Sequence, residues 1–154
     1  MSPGEESFWD VVDRIRAHEP RYRREAYGFV IAALGATVQA LPAERQKDPV
    51  RRHLSGRELV LGVIALARAE FGVLAPTVFR EWGVEASEDV GRIVFQLVES
   101  GQLSARAEDT IEDFRAGPDL LASLARVEPP GSPAPRLKSG SPVRPPGGGP
   151  PLKA

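Results

Sequence analysis

Two histidines and one run of carboxylates are the side chains whose chemistry could support catalysis or metal binding in this sequence. His18 and His53 are its only histidines. An acid–base or metal-binding role requires carboxylates that converge on the imidazole, and a sequence alone does not place them. We therefore predict a capping or surface role for each histidine. A hydrolase or transferase built on His53 and a carboxylate is the weakest of three functional hypotheses.

The carboxylate run comprises Glu108, Asp109, Glu112 and Asp113. Its spacing matches no calcium loop, so it predicts a solvated turn, with a cation site as the alternative. The chain has no cysteine, which excludes disulfides, thiolate zinc sites, iron–sulfur clusters and cysteine nucleophiles. Its glycines lack the GxxxxGK(S/T) and GxGxxG spacings of phosphate-binding loops. We predict no catalytic residue, no metal and no cofactor, and hence a protein that is not an enzyme.

Charge is spread unevenly along the chain. Residues 1–57 carry 10 Lys/Arg and 8 Asp/Glu, residues 58–124 carry 5 and 12, and residues 125–154 carry 5 and 1. An acidic folded part disfavours a general DNA-binding protein. The basic residues of the first part fall into two clusters, and they would form one patch for phosphate, RNA or an acidic protein if the intervening loop folded against the first helix. The candidate partner-binding residues are Arg21, Arg23, Arg24, Arg51, Arg52, His53 and Arg57.

A solvated surface is the alternative interpretation of the same clusters. In that case the arginines pair with carboxylates that are close in the sequence, and the surface has no binding role. These carboxylates are Asp10, Asp13, Glu19, Glu25, Glu44 and Asp48.

The elements that position these residues are predicted to be helices. Apolar residues recur at helical spacing over residues 7–17, 23–41, 57–71, 75–82 and 88–100. Ser7 and Ser87 are the predicted N-caps of the first and last of these, and Ser55 with Glu58 forms a capping box before the third. The third helix is apolar on most sides, which predicts that it lies in the core.

The segments between and after these helices are less regular. Residues 42–54 are polar and predict a surface loop. Residues 102–114 are consistent with either a short β-hairpin or a short helix, and a last helical turn is predicted over 119–124. Residues 125–154 are rich in Pro and Gly and lack aromatic side chains, which predicts a disordered basic tail. The fold prediction is a mainly α, compact domain of five to six helices over residues 7–124.

Residues 71–98 resemble a helix–turn–helix, because two helices flank a tight turn at Gly83. With a hairpin after them, the order would be that of a winged helix. Phe79 is bulky where such a motif usually has a small residue. The second helix offers Arg92 and Gln96 against three carboxylates, which is a poor set for reading bases.

Residues 8–114 resemble a family of bacterial proteins of unknown function known from planctomycetes and verrucomicrobia. Glu19 stands where that family usually has aspartate, and the tail lies outside the resemblance. The resemblance implies a shared bacterial domain and no particular activity. It is carried by Pro20-Arg21-Tyr22, Glu25-Ala26-Tyr27, Phe29-Val30, Arg52-His53, Ser55-Gly56, Glu58-Leu59, Phe71-Gly72, Trp82-Gly83-Val84, Gly91, Ile93-Val94-Phe95 and Glu112-Asp113-Phe114.

These patterns favour a non-enzymatic interaction or adaptor domain. The first residues lack the basic and apolar regions of a secretory signal, and the longest apolar stretch, residues 59–67, is too short to span a bilayer. We therefore expect a cytoplasmic protein that binds another protein, with no membrane contact. The alternative is a nucleic-acid- or ribosome-associated protein that uses the N-terminal arginine patch.

Overall fold

The computed structural model describes residues 6–51, 53–103 and 111–126 of this chain. These residues are mainly helical, and no β-strand occurs among them. The helices are α1 (Phe8–His18), α2 (Arg24–Gln39), α3 (Ala43–Lys47), α4 (Gly56–Phe71), α5 (Ala75–Trp82), α6 (Ser87–Glu99), α7 (Ile111–Arg115) and α8 (Leu120–Ala125). A short 3₁₀ turn, Gly72–Leu74, links α4 to α5.

Local capping explains where the helices begin. The backbone N–H of Asp10 donates to the Ser7 hydroxyl at the start of α1. At the start of α4 the Glu58 N–H donates to Ser55 Oγ at 3.1 Å, and the Ser55 N–H donates to Glu58 Oε1 at 2.8 Å. These bonds satisfy N–H groups that have no partner within the helix. The predicted caps at Ser7 and Ser55 are thus confirmed.

Helix α4 forms the centre of the described structure, as predicted. It packs against α2, α5, α6, α7 and α8. Val60, Val63 and Ala67 are fully buried. Each buried aliphatic side chain of this size contributes roughly 1.5–3 kcal/mol relative to exposure.

Helices α2 and α4 run antiparallel. The rings of Phe29 and Phe71 lie 5.6 Å apart at one end of the pair. Farther along, Gly62 lies directly against Thr37. The start of α2 therefore lies beside the end of α4, and the start of α4 lies near the end of α2.

Two predictions about local structure need correction. The segment predicted as a surface loop, residues 42–54, contains helix α3, which Pro42 precedes. Ser87 is not the N-cap of α6, because it is the first helical residue and its hydroxyl donates to the Pro118 carbonyl. Asp89 caps this helix instead, by accepting hydrogen bonds from the N–H groups of Glu85 and Ala86 at 2.9 Å each.

Two further predictions fall partly or wholly outside the described residues. In the segment predicted as hairpin or helix, the described part contains α7, whereas residues 104–110 lie outside the description. Of the predicted tail, residues 125–154, Ala125 is the last residue of α8 and Arg126 follows it, and residues 127–154 lie outside the description. The last helical turn is confirmed as α8, with Asp119 as its N-cap.

The stretch Gly56–Trp82 is long and apolar enough to cross a membrane, judged by length and composition alone. The core helices of globular proteins share this property. In the structure the stretch is divided at Gly72, whose φ of 55° ends α4. Six residues of α4 are buried against the other helices, so we interpret α4 as the core helix.

Candidate functional site

The structure does not bring the two predicted arginine clusters together. Arg21, Arg23 and Arg24 precede or begin α2, and the Arg23 N–H donates to the Trp82 carbonyl at 3.1 Å. Arg51, His53 and Arg57 lie between α3 and the first turn of α4. Because α2 and α4 are antiparallel, the two groups lie at opposite ends of this helix pair. Arg52 lies outside the described residues.

The N-terminal arginines are engaged in ion pairs. Arg21 Nη2 lies 3.3 Å from Asp89 Oδ1, and Arg23 Nη2 lies 3.6 Å from Glu81 Oε1. Arg24 Nε lies 3.0 Å from Asp13 Oδ1 and its guanidinium stacks 4.6 Å from the Trp9 ring. The solvated-surface interpretation expected pairing with nearby carboxylates, but only Asp13 comes from that group. Glu81 and Asp89 are distant in sequence, which is why sequence reasoning missed them.

Asp89 is the most highly connected buried polar residue in the described structure. Its exposed fraction is 1%. Oδ1 accepts from the Tyr22 hydroxyl at 2.6 Å and from Arg92 Nη1 at 2.9 Å. Oδ2 accepts the backbone N–H groups of Glu85 and Ala86, which immediately precede α6. A buried carboxylate requires such partners, because an unpaired charge in the interior is strongly destabilising.

The Asp89 network explains the titration of its members. Burial opposes ionisation of Asp89, but the hydrogen bonds from Tyr22, Glu85 and Ala86 outweigh it and hold its pKa below the ordinary value. Burial and the Asp89 carboxylate raise the pKa of Tyr22 well above its usual range. Burial likewise raises the pKa of Tyr27 to about 12, and its hydroxyl donates to Gln96 Oε1 at 2.6 Å. These groups hold α2 against α6.

The polar side chains of α6 that could read a nucleic acid are also used within the fold. Arg92 pairs with Glu88 at 2.8 Å as well as with Asp89. Gln96 accepts from Tyr27. The α6 surface therefore presents no uncommitted Arg or Gln donor pair of the kind that direct base recognition requires.

At the other end of the helix pair, Arg45 connects α3 to the start of α4. Its Nη1 and Nη2 donate to the two Glu58 carboxylate oxygens at 2.6 and 2.8 Å. The same guanidinium donates to the carbonyls of Arg51 and His53. These bonds hold Arg51 and His53 beside α4. The Arg45 hydrogen bonds lower the pKa of Glu58 to about 2, against the opposing effect of burial.

The depressed Glu58 pKa predicts a pH-dependent contribution to stability. A carboxyl that ionises at about 2 when folded, against an ordinary 4.5, stabilises the fold above pH 4.5 and loses this contribution as the pH falls to 2. We expect the difference in unfolding free energy between the native protein and Glu58→Gln to be largest above pH 5 and to vanish near pH 2. Denaturant unfolding at several pH values measures it. Glu44→Gln, at an exposed position of α3, is the control. A difference in unfolding free energy between the native protein and Glu58→Gln that is the same at every pH would contradict the prediction.

An apolar cavity opens between the 53–56 segment, α6 and α7, with a volume of about 70 Å³. Ser55 and Gly56 form its edge at the start of α4. His53, predicted as a capping or surface residue, also lines it, and its carbonyl is held by Arg45. The apolar lining comes from separate parts of the chain and comprises Leu34, Leu54, Leu59, Val94, Phe95, Leu103 and Phe114.

Sequence reasoning missed this cavity because its walls are assembled by tertiary contacts. One local signal was available. Gly56 begins α4, and a Cβ at this position would lie 3.0 Å from the Asp113 backbone and 3.1 Å from the Phe114 ring. Glycine thus permits α7 to approach the helix start, and this approach forms one wall.

The other predicted sites are accounted for as follows. His18 Nδ1 lies 3.2 Å from the Arg14 carbonyl, within its own helix. Among the described residues, no group of three His, Asp or Glu side chains is arranged to hold a metal ion. Of the acidic run, Glu112 pairs with Arg115 in α7, and residues 108 and 109 lie outside the description.

Comparisons with known proteins do not extend this picture. No protein-family model, curated protein or solved structure matches this chain. The resemblance to the bacterial family stays a prediction.

Proposed function

We propose that this chain is a non-enzymatic interaction or adaptor domain of the bacterial cytoplasm, and that it binds a protein partner at the apolar cavity beside His53. The observation that carries this proposal is a small apolar cavity at the surface of the described structure. Protein interfaces commonly seat one anchoring side chain of the partner in such a pocket, surrounded by polar residues. Exposed charged residues of both signs are close to the cavity edge in sequence or in space, namely Arg51, Arg57 and Asp113.

The use of the buried ionisable groups supports a binding role. Asp89, Tyr22 and Arg92 bond to one another and connect the start of α2 to α6. Arg45 and Glu58 similarly hold the segment that forms the cavity edge. Only the Arg45–Glu58 pair lies at the cavity, where it fixes the position of the edge, and a rigid site lowers the entropy cost of binding. The Asp89 network fixes the opposite end of the helix pair.

A nucleic-acid- or ribosome-associated role is the alternative proposal. It draws on the exposed Arg51 and Arg57 and on the succession of α5 and α6, which are joined by residues 83–86. The winged-helix-like arrangement is the finer fold prediction that accompanies it. Such binding would fall steeply with salt, because each phosphate contact releases counterions.

Filling the cavity tests the proposed function. We expect Val94→Phe, which places a ring where Val94 lines the cavity, to reduce partner recovery at least roughly tenfold, as for loss of a central anchor. The measurement is affinity purification of the full chain from its native cell, with and without nuclease treatment. Val73→Phe is the matched control, because Val73 is 87% exposed on the 3₁₀ turn.

The outcomes separate the two functions. A protein partner that survives nuclease, is recovered with Val73→Phe and is lost with Val94→Phe supports the proposal. Recovery with Val94→Phe at the native level would refute the cavity as the site. Material that disappears on nuclease treatment would favour the alternative. Unfolding midpoints of the two variants establish that each remains folded.

A further inference from the structure

We infer that residues 42–51, named the strap, open as a local unit and that the Arg45 side chain is the clasp that holds them closed. The strap joins the end of α2 to the segment before α4 and contains α3. This opening needs no partner and is a property beyond the proposed function. Three features lead to it: the exposure of the strap, the polar contacts that attach it and the cavity wall beside it.

The strap contributes no side chain to the core. All of its residues lie within the described part of the chain, and none of them is buried. Val50, its one large aliphatic side chain, is 62% exposed. Helix α3 has five residues, and isolated helices shorter than about 12–15 residues are marginal in water. Neither apolar burial nor helix formation therefore keeps the strap in place, and a segment of this kind opens before the rest of a fold.

Two sets of hydrogen bonds hold the strap at its α2 end and within itself. Gln46 Nε2 donates to two carbonyls at the end of α2, at 3.1 and 2.8 Å. The Asp48 carboxylate accepts from the N–H groups of Val50 and Arg51 at 2.9 and 3.3 Å. Neither set of bonds reaches α4, so neither holds the strap against the start of that helix.

The Arg45 side chain makes the connection from the strap to α4. Its guanidinium donates to both Glu58 carboxylate oxygens and to the carbonyls of Arg51 and His53. The exposed fractions of the paired side chains are 24% for Arg45 and 35% for Glu58. Water therefore reaches both groups when the pair separates, whereas the separation of a fully buried pair leaves a charge without solvent. The pair can thus open while the core stays folded.

The clasp also fixes one wall of the cavity. His53 and Leu54 line the cavity, and the His53 carbonyl accepts from Arg45 Nη2 at 3.1 Å. The His53 N–H donates to the Val50 carbonyl of the strap at 3.2 Å, so this wall moves with the strap. Opening therefore gives water access to Leu59 of α4, which lines the same cavity and is 4% exposed when the strap is closed.

The first test is native-state hydrogen exchange of the full chain, followed by NMR in urea concentrations below the unfolding transition. The N–H groups of Gln46 and Asp48 are hydrogen-bonded within the strap. We expect their exchange to respond little to urea, because local opening exposes little surface, whereas exchange in residues 60–67 of α4 should follow global unfolding. The same urea dependence in both segments would overturn the inference, because the strap would then open only when the whole domain unfolds.

Breaking the clasp tests the role of Arg45. We expect Arg45→Met to accelerate exchange in the strap, relative to residues 60–67, at least about tenfold, because it removes charge-assisted hydrogen bonds. Arg24→Met is the matched control, since Arg24 also pairs with a carboxylate, Asp13, but at the other end of α2. It should change exchange in the strap by less than about twofold. Equal effects of the two variants would overturn the role of Arg45 as the clasp.

Thiol labelling tests whether the opening uncovers the cavity. The chain has no cysteine, so Leu59→Cys places a single thiol at the cavity wall. Val63→Cys, one turn further along α4 and fully buried in the core, is the matched control. We expect an aromatic disulfide reagent to label Leu59→Cys at least about tenfold faster than Val63→Cys, because strap opening exposes only the first. Equal rates in variants with equal unfolding midpoints would overturn the link between the strap and the cavity.

Discussion

Replacing Asp89 with alanine is expected to lower the free energy of unfolding by about 3–5 kcal/mol, because several donors lose their acceptor and a buried donor left unsatisfied costs about 1–3 kcal/mol. The carboxylate accepts from Tyr22, Arg92 and two backbone N–H groups at the start of α6. Alanine leaves all of these donors without their acceptor. The buried Tyr22 hydroxyl has little water to replace it, whereas the Arg92 side chain is 39% exposed and can be hydrated. The substitution also removes the bond from the third residue of α6 back to the N–H of the N-cap residue Ala86.

The measurement is urea unfolding near neutral pH, with Tyr22→Phe as the matched variant. Phenylalanine keeps the buried ring and removes one donor, so we expect a loss of about 1–2 kcal/mol. The loss of unfolding free energy should be clearly larger for Asp89→Ala than for Tyr22→Phe. Asp89→Ala removes the acceptor of several hydrogen bonds, whereas Tyr22→Phe removes one donor. Equal losses would mean that the Tyr22 bond alone stabilises this region and that the rest of the network contributes nothing.

Replacing Gly83 with alanine is expected to cost about 3 kcal/mol, from two additive causes. Gly83 ends α5 at φ 84°, where a Cβ costs roughly 1–2 kcal/mol. A Cβ there would also lie 2.5 Å from the Arg21 carbonyl oxygen. This oxygen belongs to the backbone and cannot rotate away, so the α1–α2 connection must shift, at a further cost of about 1–3 kcal/mol.

Gly35→Ala supplies the control for this prediction. Gly35 lies inside α2, is exposed, and a Cβ would meet no atom within 4 Å. Alanine there should be neutral or stabilise the protein by up to about 1 kcal/mol, because glycine is a poor helix former. Thermal or denaturant unfolding of both variants measures the contrast. A loss of less than about 1 kcal/mol for Gly83→Ala would contradict the prediction. It would mean that the backbone at Arg21 moves away from the new methyl group at little energetic cost.

The local elements were largely predictable from the sequence. Apolar spacing located the five principal helices to within two residues at each end, and Ser7 and Ser55 marked two of their starts. Helix caps and apolar spacing depend on residues within a few positions of each other, so a short segment of sequence is enough to predict them. The prediction of Ser87 as an N-cap was wrong. Its hydroxyl donates to the Pro118 carbonyl, and the Asp89 side chain accepts from the backbone that precedes α6.

The pairing of charges was not predictable in the same way. Arg21 and Arg23 have acidic neighbours in sequence, yet they pair with Asp89 and Glu81, which reach them only because α5 and α6 pack beside the start of α2. Charge interactions act through space and ignore sequence distance. For Arg21, Arg23 and Arg24, the carboxylates close in sequence therefore supply one ion-pair partner, Asp13.

What the sequence determined by itself was a mainly helical domain with α4 at its centre, because hydrophobic periodicity and caps are local properties. What only the tertiary structure decided was the surface. The antiparallel packing of α2 and α4 separates the two arginine clusters by the length of the pair. It also assembles Leu34, Leu103 and Phe114 into one cavity beside His53. Neither result follows from spacing along the chain, since both depend on which helix faces which, and that is settled by burial of the shared core.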